Sequence, residues 1–138
     1  MYRNEFELIL KTTNFDKLLN ILSNPLYIIE KLINIKEFFQ ININKYKAKI
    51  GSIGSIEIEI DKELIKTGRS FMLRYLLRRE SFPKLFCKIE IYGIIKGNDI
   101  SLKVIYEREN SLFNFLYDLK DLNEDIIKKL FNNNELLS

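Results

Sequence analysis

Hydrophobic and polar residues alternate with a period of two through residues 35–109, which predicts an almost continuous β-sheet in the middle of the chain. Residues 45–50 alternate apolar side chains with lysines, and residues 56–61 alternate isoleucines with acids. Turn signals such as Gly97-Asn98 separate the segments. The six strands predicted in this region cover residues 36–43, 45–50, 56–61, 69–79, 84–96 and 100–106.

The chain before this region predicts one strand and two short helices. Residues 5–11 nearly alternate, as in a half-buried strand. Asn14 then provides a helix N-cap signal, and Pro25 suits the first turn of a second helix after the break at Asn24. The apolar positions of the two helices are Phe15, Leu18, Leu19, Leu22, Ile28, Ile29, Leu32 and Ile33.

The last part of the chain predicts one long helix that begins after Asn110-Ser111. Its apolar residues fall mostly at steps of three and four, which is the spacing of one helical face. We expect Asp118, Asp121 and Asn123 to loosen this helix midway. The apolar positions are Leu112, Leu116, Leu119, Ile126, Ile127, Leu130 and Phe131.

One face of the predicted sheet is apolar and the other is charged, so one face is covered and the other faces water. A sheet with this many antiparallel strands curls as its twist accumulates. The final helix is the natural cover for the concave face. The pattern predicts a single domain over residues 1–138 and leaves open whether helix and sheet pack tightly or enclose a cavity.

Composition narrows the class of protein without naming a function. The 138 residues are 46% hydrophobic and 30% charged, as in a globular protein. No apolar run reaches the roughly 18 residues of a membrane span, and no signal peptide is evident, so we expect a cytoplasmic protein. The single Cys87 agrees with a reducing compartment. A net charge of +3 is too small to indicate nucleic-acid binding.

The segment between the two short helices resembles a known family. The step Leu18-Leu19-Asn20-Ile21-Leu22-Ser23-Asn24-Pro25 is similar to the opening of START-like domains, the helix-grip proteins of the SRPBCC superfamily. Many members have an Asp where Asn24 stands here. With residues 31–37, the segment especially resembles small crenarchaeal members.

This resemblance implies an α+β helix-grip (START/Bet v 1-like) fold. A curved sheet of seven antiparallel strands would carry two short helices after its first strand and would grip a long C-terminal helix. It also implies a hydrophobic cavity between that helix and the sheet. The family's functions are diverse, including sterol, lipid, polyketide and hormone binding, cyclase or hydrolase chemistry and co-chaperone activity. No catalytic motif of the family matches residues of this chain, and fold alone does not give function.

Residues suited to catalysis or metal binding are scarce. The chain has no His to act as a general base or to activate Cys87, which we interpret as a small buried hydrophobe. A carboxylate cluster at residues 118–125 is better explained as an exposed helix face than as a cation site, so we expect no metal and no cofactor. The bend at 51–55 lacks the Lys and the helix of a phosphate loop. The strand acids predicted to point to solvent are Glu57, Glu59, Asp61, Glu90 and Glu107.

Two further sets of residues are candidate binding groups. Tyr46, Tyr75 and Tyr106 fall on the apolar face, where they are either core residues or the polar groups that orient a ligand. The basic stretch around the turn at 80–83 is interpreted as a solvated rim, and nucleic acid is not the expected partner. That stretch consists of Arg74, Arg78, Arg79, Lys84 and Lys88.

The sequence therefore predicts a non-catalytic binding protein that holds a hydrophobic, lipid-like small molecule between the sheet and the C-terminal helix. One alternative is an interaction module with a filled core and an exposed apolar patch near Phe38 or Ile105, whose partner could be a second copy of the chain. The other alternative is a cyclase- or hydrolase-like enzyme. The predicted ligand-lining residues are Phe71, Leu73, Tyr75, Cys87, Ile89, Ile91, Leu102, Val104, Tyr106, Leu112, Leu116 and Leu119.

Overall fold

The computed structural model describes residues 1–11, 14–51 and 54–132. Ser52 and Ile53, in the predicted bend after the third strand, lie outside the described residues. The elements in chain order are β1 (Tyr2–Lys11), α1 (Phe15–Leu22), α2 (Pro25–Ile29), β2 (Ile35–Asn42), β3 (Lys45–Ile50), β4 (Ile56–Thr67), β5 (Ser70–Arg79), β6 (Leu85–Lys96), β7 (Asp99–Arg108), α3 (Leu112–Leu116) and α4 (Glu124–Phe131).

All seven strands form one antiparallel, curved sheet in the order β1-β7-β6-β5-β4-β3-β2. This arrangement confirms the predicted sheet, and the two edge strands are β1 and β2. Burial alternates along each central strand because successive side chains point to opposite faces. We call the covered side, which carries Phe71, Leu73 and Tyr75, the inner face, and the opposite side the outer face.

The hairpin α1–α2 covers part of the inner face, and its sequence explains its shape. The Asn14 side chain accepts a hydrogen bond from the Lys17 amide at 3.0 Å, and Asn24 caps α2 through the Leu26 amide at 3.2 Å. Pro25 opens α2, where a missing N–H costs nothing. The buried residues of this hairpin and of the turn that follows it are Leu18, Leu19, Leu22, Pro25, Ile28, Ile29, Leu32 and Ile33.

Two polar side chains of the inner face hold the C-terminal end of α1. The Tyr75 hydroxyl donates to the Leu22 carbonyl at 2.6 Å, and the Lys62 ammonium donates to the Ser23 carbonyl at 3.0 Å. The last carbonyls of a helix have no intrahelical partner, so these bonds satisfy groups that would otherwise be orphaned. The positive charge of Lys62 also suits the negative end of the helix.

Gly93 allows an aromatic ring to lie against the sheet. It pairs in register with Phe71, and a Cβ at this position would overlap the Phe71 ring. The ring in turn packs against Phe15 of α1, with 5.7 Å between ring centroids. This close approach connects the β4–β5 end of the sheet to the first helix.

The strand acids lie on the outer face, as the alternation predicted, but several are ion-paired, and the Glu90 and Glu107 side chains are only 12% and 14% exposed. Arg78 pairs with Glu59 at 3.0 Å and with Asp61 at 3.1 Å. Lys88 pairs with Glu90 at 3.4 Å and with Glu107 at 3.6 Å. Surface pairs of this kind contribute little stability individually. This network of ion pairs is built from the charged residues that alternate with buried apolar residues along the strands.

The prediction of one long C-terminal helix is wrong. α3 has five residues and α4 has eight, and residues 117–123 between them are not helical. Asp118 adopts a left-handed conformation with φ of +52°, which ends the helical path. The Asn123 side chain accepts from the Ile126 amide at 2.9 Å and so begins a new helix. Side chains that bond to nearby backbone have overcome the apolar periodicity here.

Candidate functional site

The inner face is a continuous apolar surface. Ten of the twelve predicted lining residues are buried, and they belong to one hydrophobic cluster. Their contact with a ligand stays a prediction. The ten residues are Phe71, Leu73, Tyr75, Cys87, Ile89, Ile91, Leu102, Val104, Tyr106 and Leu119.

Leu112 and Leu116, the other two predicted lining residues, are partly exposed, and their contact with a ligand also stays a prediction. Leu112 is 49% exposed and Leu116 is 53% exposed, while Phe113 is fully buried. The single turn of α3 turns Phe113 inward and leaves Leu112, Phe115 and Leu116 toward solvent. The predicted inward positions assumed one helical face running through the whole C-terminal region, and the break after Leu116 removes that assumption.

The segment between the end of β7 and the start of α4 lies across one part of the inner face. We call residues 112–122 the C-terminal cover. Its buried apolar residues are Phe113, Leu119 and Leu122, which join the same cluster as the inner face. The Lys120 amide donates to the Leu32 carbonyl at 2.8 Å, which ties the cover to the turn after α2.

A shallow cleft of about 150 Å³ runs along the junction of the C-terminal cover and the turn after α2. The inner face itself is packed directly by side chains of the helices, including Leu18, Leu22 and Phe131. A ligand between sheet and helices therefore requires part of this packing to move. The residues that line the cleft are Glu30, Lys31, Leu32, Ile33, Asn34, Tyr117, Asp118 and Lys120.

A polar cluster joins the C-terminal cover to β7. We call Tyr2, Cys87, Tyr106, Arg108 and Asp121 the Asp121 cluster. The Tyr106 hydroxyl donates to Oδ1 of Asp121 at 3.0 Å, and Nη2 of Arg108 donates to Oδ2 at 3.0 Å. Nε of Arg108 also donates to Oδ1, so the guanidinium contacts both carboxylate oxygens.

The remaining members pack around this pair. The Arg108 guanidinium lies over the Tyr2 ring, 4.8 Å from its centroid, and the Tyr2 and Tyr106 rings meet edge to face at 6.0 Å. Cys87 lies opposite Arg108 in the register of β6 and β7, and it is buried on the same inner face as Tyr106. The cluster is thus built on the rigid sheet, except for Asp121.

The cluster contains one ion pair, Arg108 with Asp121, and two neutral side chains, Cys87 and Tyr106. Hydrogen bonding to Arg108 holds the pKa of the Asp121 carboxyl below its usual range, so Asp121 is an anion at neutral pH. Burial raises the pKa of the Cys87 thiol to about 12, and burial also raises the pKa of Tyr106. At neutral pH, Cys87 and Tyr106 are therefore neutral donors beside one ion pair.

The inward tyrosines predicted from strand parity are buried, but their hydroxyls have different partners. The Tyr75 hydroxyl bonds to the Leu22 carbonyl, as described above, and the Tyr46 hydroxyl donates to the Ile43 carbonyl at 3.1 Å. These two tyrosines are core residues satisfied by backbone. Tyr106 alone of the three bonds to a charged side chain.

The sequence reasoning missed Arg108 and Asp121. Arg108 continues the inward parity of Tyr106 by one step of two residues, and this position was a detectable signal. The apolar spacing predicts one continuous helix, which would place Asp121 on an exposed face with Asp118, Glu124 and Asp125. In the structure it turns back to β7.

The exposed apolar patch predicted near Phe38 or Ile105 lies elsewhere in the structure. Ile105 does not form an exposed patch: it is buried on the outer face, where its register neighbours Glu5 and Glu90 are ion-paired. Phe38 is half-buried and stacks on Tyr46 at 5.3 Å between centroids. The exposed apolar side chains near the β2 edge are instead Phe39, Ile41 and Ile43.

Within residues 1–11, 14–51 and 54–132, no helix has both the length and the apolar character to span a bilayer. Over the same ranges, no group of three or more acids, cysteines or histidines is arranged to hold a metal ion.

Comparison with known proteins gives the fold. Neither a protein-family model nor a curated protein matches the sequence. A hypothetical protein from Helicobacter pylori has a similar structure, with a TM-score of 0.61, 13% identity and coverage of 99% of this chain and 86% of that one. A conserved protein from Geobacillus kaustophilus has a TM-score of 0.57 and 18% identity, and covers 95% of this chain and 93% of its own.

A third similar structure carries a functional name. It is a STAR-related lipid transfer protein from Xanthomonas axonopodis, with a TM-score of 0.55 and 10% identity, and the match covers 98% of this chain and 82% of that one. Identities this low show the fold alone. The chain has a START-like α+β fold in which a curved antiparallel sheet of seven strands packs against short helices.

Proposed function

We propose that this protein binds a hydrophobic or amphipathic small molecule between the inner face of its sheet and its C-terminal cover, without catalysing a reaction. One observation carries the proposal: the apolar inner face is covered at residues 112–122 by a short, irregular segment rather than by a continuous helix. A segment with few regular hydrogen bonds opens at lower cost than a packed helix. The START-like fold agrees with this function. The finer resemblance to crenarchaeal members stays a prediction.

The proposed site uses the buried residues of the sheet. A ligand would contact the inner side of β5, β6 and β7 after the cover has moved away. Phe113, Leu119 and Leu122 replace Leu112 and Leu116 as the cover residues whose positions the ligand would take. An acyl chain with about 300 Å² of apolar surface gains roughly 7 kcal/mol from burial before ordering costs. The release of three apolar side chains opposes much of this gain but not all of it, so we expect modest affinity.

The chemistry of the buried groups supports binding rather than catalysis. A thiol with its pKa raised to about 12 is a poor nucleophile at neutral pH, and Cys87 is such a thiol. A carboxylate held by two guanidinium hydrogen bonds is a weak base, and Asp121 is held in this way. Both groups are better suited to position neighbours than to transfer protons.

Methyl NMR tests this proposal with a control inside one strand. Ile91 lies on the inner face of β6, and Ile94 lies on its outer face. We expect titration with dodecanol to shift the methyl resonances of Ile91 and of inner-face Val104, and to leave Ile94 unchanged. Native mass spectrometry of the protein purified from its own host would identify a natural ligand by its mass.

Binding of the ligand to the outer face of the sheet would contradict the proposal. A cleft of about 610 Å³ there is lined by residues that include Ile9, Tyr92 and Ile94. Shifts confined to Ile9 and Ile94 would place the ligand on the outside of the sheet and overturn the proposal. An absence of shifts with alcohols and acids alike would also overturn it.

A second candidate function is self-association through the β2 edge. Phe39, Ile41 and Ile43 are exposed at this edge, whereas β1 at the other edge carries Arg3 and Glu5 in ion pairs. An exposed apolar edge strand is prone to pair with another strand, and charged edges resist this pairing. Light scattering over a range of concentrations would show a dimer, and Ile41→Lys would convert it to a monomer. A wild-type protein that stays monomeric throughout would dismiss this candidate.

A further inference from the structure

The sheet side of the Asp121 cluster forms a binding place for one carboxylate. Nε and Nη2 of Arg108 and the hydroxyl of Tyr106 all donate to Asp121. Two guanidinium N–H groups match the two oxygens of a carboxylate in plane, which makes the pair directional as well as charged. Arg108 and Tyr106 thus form a carboxylate-binding site that is occupied by a carboxylate of the chain itself, that of Asp121.

Arg108 and Tyr106 are held in place independently of Asp121. Both lie on β7, which is hydrogen-bonded to β1 on one side and to β6 on the other. The Arg108 guanidinium also lies over the Tyr2 ring and donates from Nη1 to the Asn110 side chain. The donors would therefore keep their positions if the carboxylate left. The Arg108 side chain is only 16% exposed, and a guanidinium this covered is costly to leave without an anion, which favours a replacement anion.

Asp121 is the one member of the cluster that lies on the C-terminal cover instead of on the sheet. It lies outside α3 and α4, three residues after the left-handed Asp118. The backbone hydrogen bond from Lys120 to Leu32 holds the neighbouring residue. Asp121 itself lies in neither helix, so its carboxylate would leave Arg108 if the Lys120–Leu32 bond broke and the cover moved.

The C-terminal cover combines apolar side chains with a carboxylate in the way that an amphipathic acid does. Phe113, Leu119 and Leu122 join the cluster of the inner face, and Asp121 supplies the charged end. The cover thus occupies with its own groups the two kinds of surface that a ligand with an apolar body and an acidic head would need.

We propose that the ligand is an amphipathic carboxylic acid, whose carboxylate replaces that of Asp121 on Arg108 and Tyr106 while its apolar body takes the places of Phe113, Leu119 and Leu122. This inference rests on the proposed function and adds the chemical class of the head group. Binding and displacement of the cover are then one exchange, since both carboxylates use the same donors. No covalent bond is made or broken.

The test compares three head groups attached to alkyl chains of the same length. Dodecanoic acid, dodecanol and dodecyl phosphate are titrated at neutral pH, with the methyl resonances of Ile89, Ile91 and Val104 as the readout. We expect the acid to bind about tenfold or more tightly than the alcohol, because its head group gains charge-assisted hydrogen bonds. We also expect saturation with the acid to speed hydrogen exchange at the Lys120 amide, whose bond to Leu32 is lost when the cover moves.

Three variants identify the residues responsible. Arg108→Gln should bring the acid-to-alcohol affinity ratio close to one, and alcohol binding in the same sample shows that the variant is folded. Asp121→Asn should raise acid affinity severalfold, because it removes the competing carboxylate. Arg78→Gln is the matched control, an ion-paired arginine of the outer face that should leave the ratio unchanged.

The outcomes separate this inference from the proposed function. Equal affinity for acid and alcohol, or a ratio that Arg108→Gln does not change, would overturn the carboxylate site and leave hydrophobic binding intact. Tighter binding of dodecyl phosphate than of the acid would assign a different anionic head group and also overturn it. If none of the three compounds binds, both proposals fail.

Discussion

The α1–α2 hairpin and the C-terminal cover lie over the same face of the sheet, but different contacts hold them there. The hairpin has capped helices, a proline at the start of α2, and two side chains of the sheet bonded to the end of α1. Its inward leucines and isoleucines, such as Leu18, Leu22 and Ile29, are fully buried. The hairpin therefore belongs to the hydrophobic core of the domain.

The C-terminal cover has little of this support. The Ser111 side chain makes no capping bond to α3, and the helix lasts only five residues. Three of those five residues, Leu112, Phe115 and Leu116, are largely exposed. The cover is held mainly by Phe113, by two other apolar side chains, and by the polar contacts of Lys120 and Asp121.

The contrast in contacts predicts a contrast in energetics between the two regions. We expect the hairpin, together with the capped α4, to contribute more to the stability of the domain than the cover does. We also expect the cover to open locally at a lower free energy than the hairpin.

The largest expected effect comes from a cavity under the hairpin. Leu22→Ala removes a fully buried side chain from α1, and we expect a loss of about 3 kcal/mol in the free energy of unfolding, measured by urea denaturation. Leu116→Ala on the cover is the matched control and should change stability by less than about 0.5 kcal/mol. Equal losses in the two variants would show that the hairpin and the cover contribute similarly to stability.

Removing the tyrosine bond to α1 should have the next largest effect. Tyr75→Phe leaves the Leu22 carbonyl without its donor in a buried place, and we expect a cost of about 2 kcal/mol in unfolding free energy. Tyr46→Phe should cost clearly less, because its partner carbonyl belongs to Ile43 in an exposed turn where water can replace the hydroxyl. A larger loss for Tyr46→Phe would show that the sheet does not anchor the hairpin through Tyr75.

The bond between Asp121 and β7 should contribute less, and its effect should depend on pH. The pKa of Asp121 is lowered in the folded state, so its stabilisation is present above the unfolded value near 3.8 and is lost as pH falls through the folded value. We expect Asp121→Asn to cost about 1 kcal/mol at neutral pH, after allowance for partial exposure. This difference from the wild type should shrink as pH falls below about 4.

A surface acid provides the control for that measurement. Asp16 forms an exposed pair with Lys66 at 3.3 Å, and Asp16→Asn should change stability by less than about 0.5 kcal/mol at any pH. An Asp121→Asn effect that does not vary with pH would mean that Arg108 does not hold the carboxylate as an ion pair.

Strand parity predicted most of the inner face because burial of one face fixes every second residue. Leu73, Tyr75, Ile89 and Val104 all lie where the alternation placed them. The two short helices after the first strand also follow from local signals, since Asn24 and Pro25 act within a few residues of themselves.

The C-terminal region was not predictable to the same degree, because competing signals of similar strength overlap there. The apolar spacing of Leu112, Leu116 and Leu119 indicates one helix, whereas Asp118 and Asn123 favour local bonds to the backbone. The choice depends on a contact distant in sequence, from Arg108 to Asp121, which periodicity does not encode. The site was missed for the same reason as the helix break.

The smallest expected effect concerns the helix caps at the two ends of the non-helical stretch. Asn123→Ala removes the acceptor for the Ile126 amide at the start of α4, and we expect a loss of roughly 0.5–1 kcal/mol in unfolding free energy. Ser111→Ala at the start of α3 should cost almost nothing, because the Ser111 hydroxyl contacts only the Asn114 side chain. Amide hydrogen exchange should localise the Asn123→Ala effect to α4. If Ser111→Ala cost as much as Asn123→Ala, α3 would be as firmly anchored as α4, and the cover would not be the part of the fold that opens.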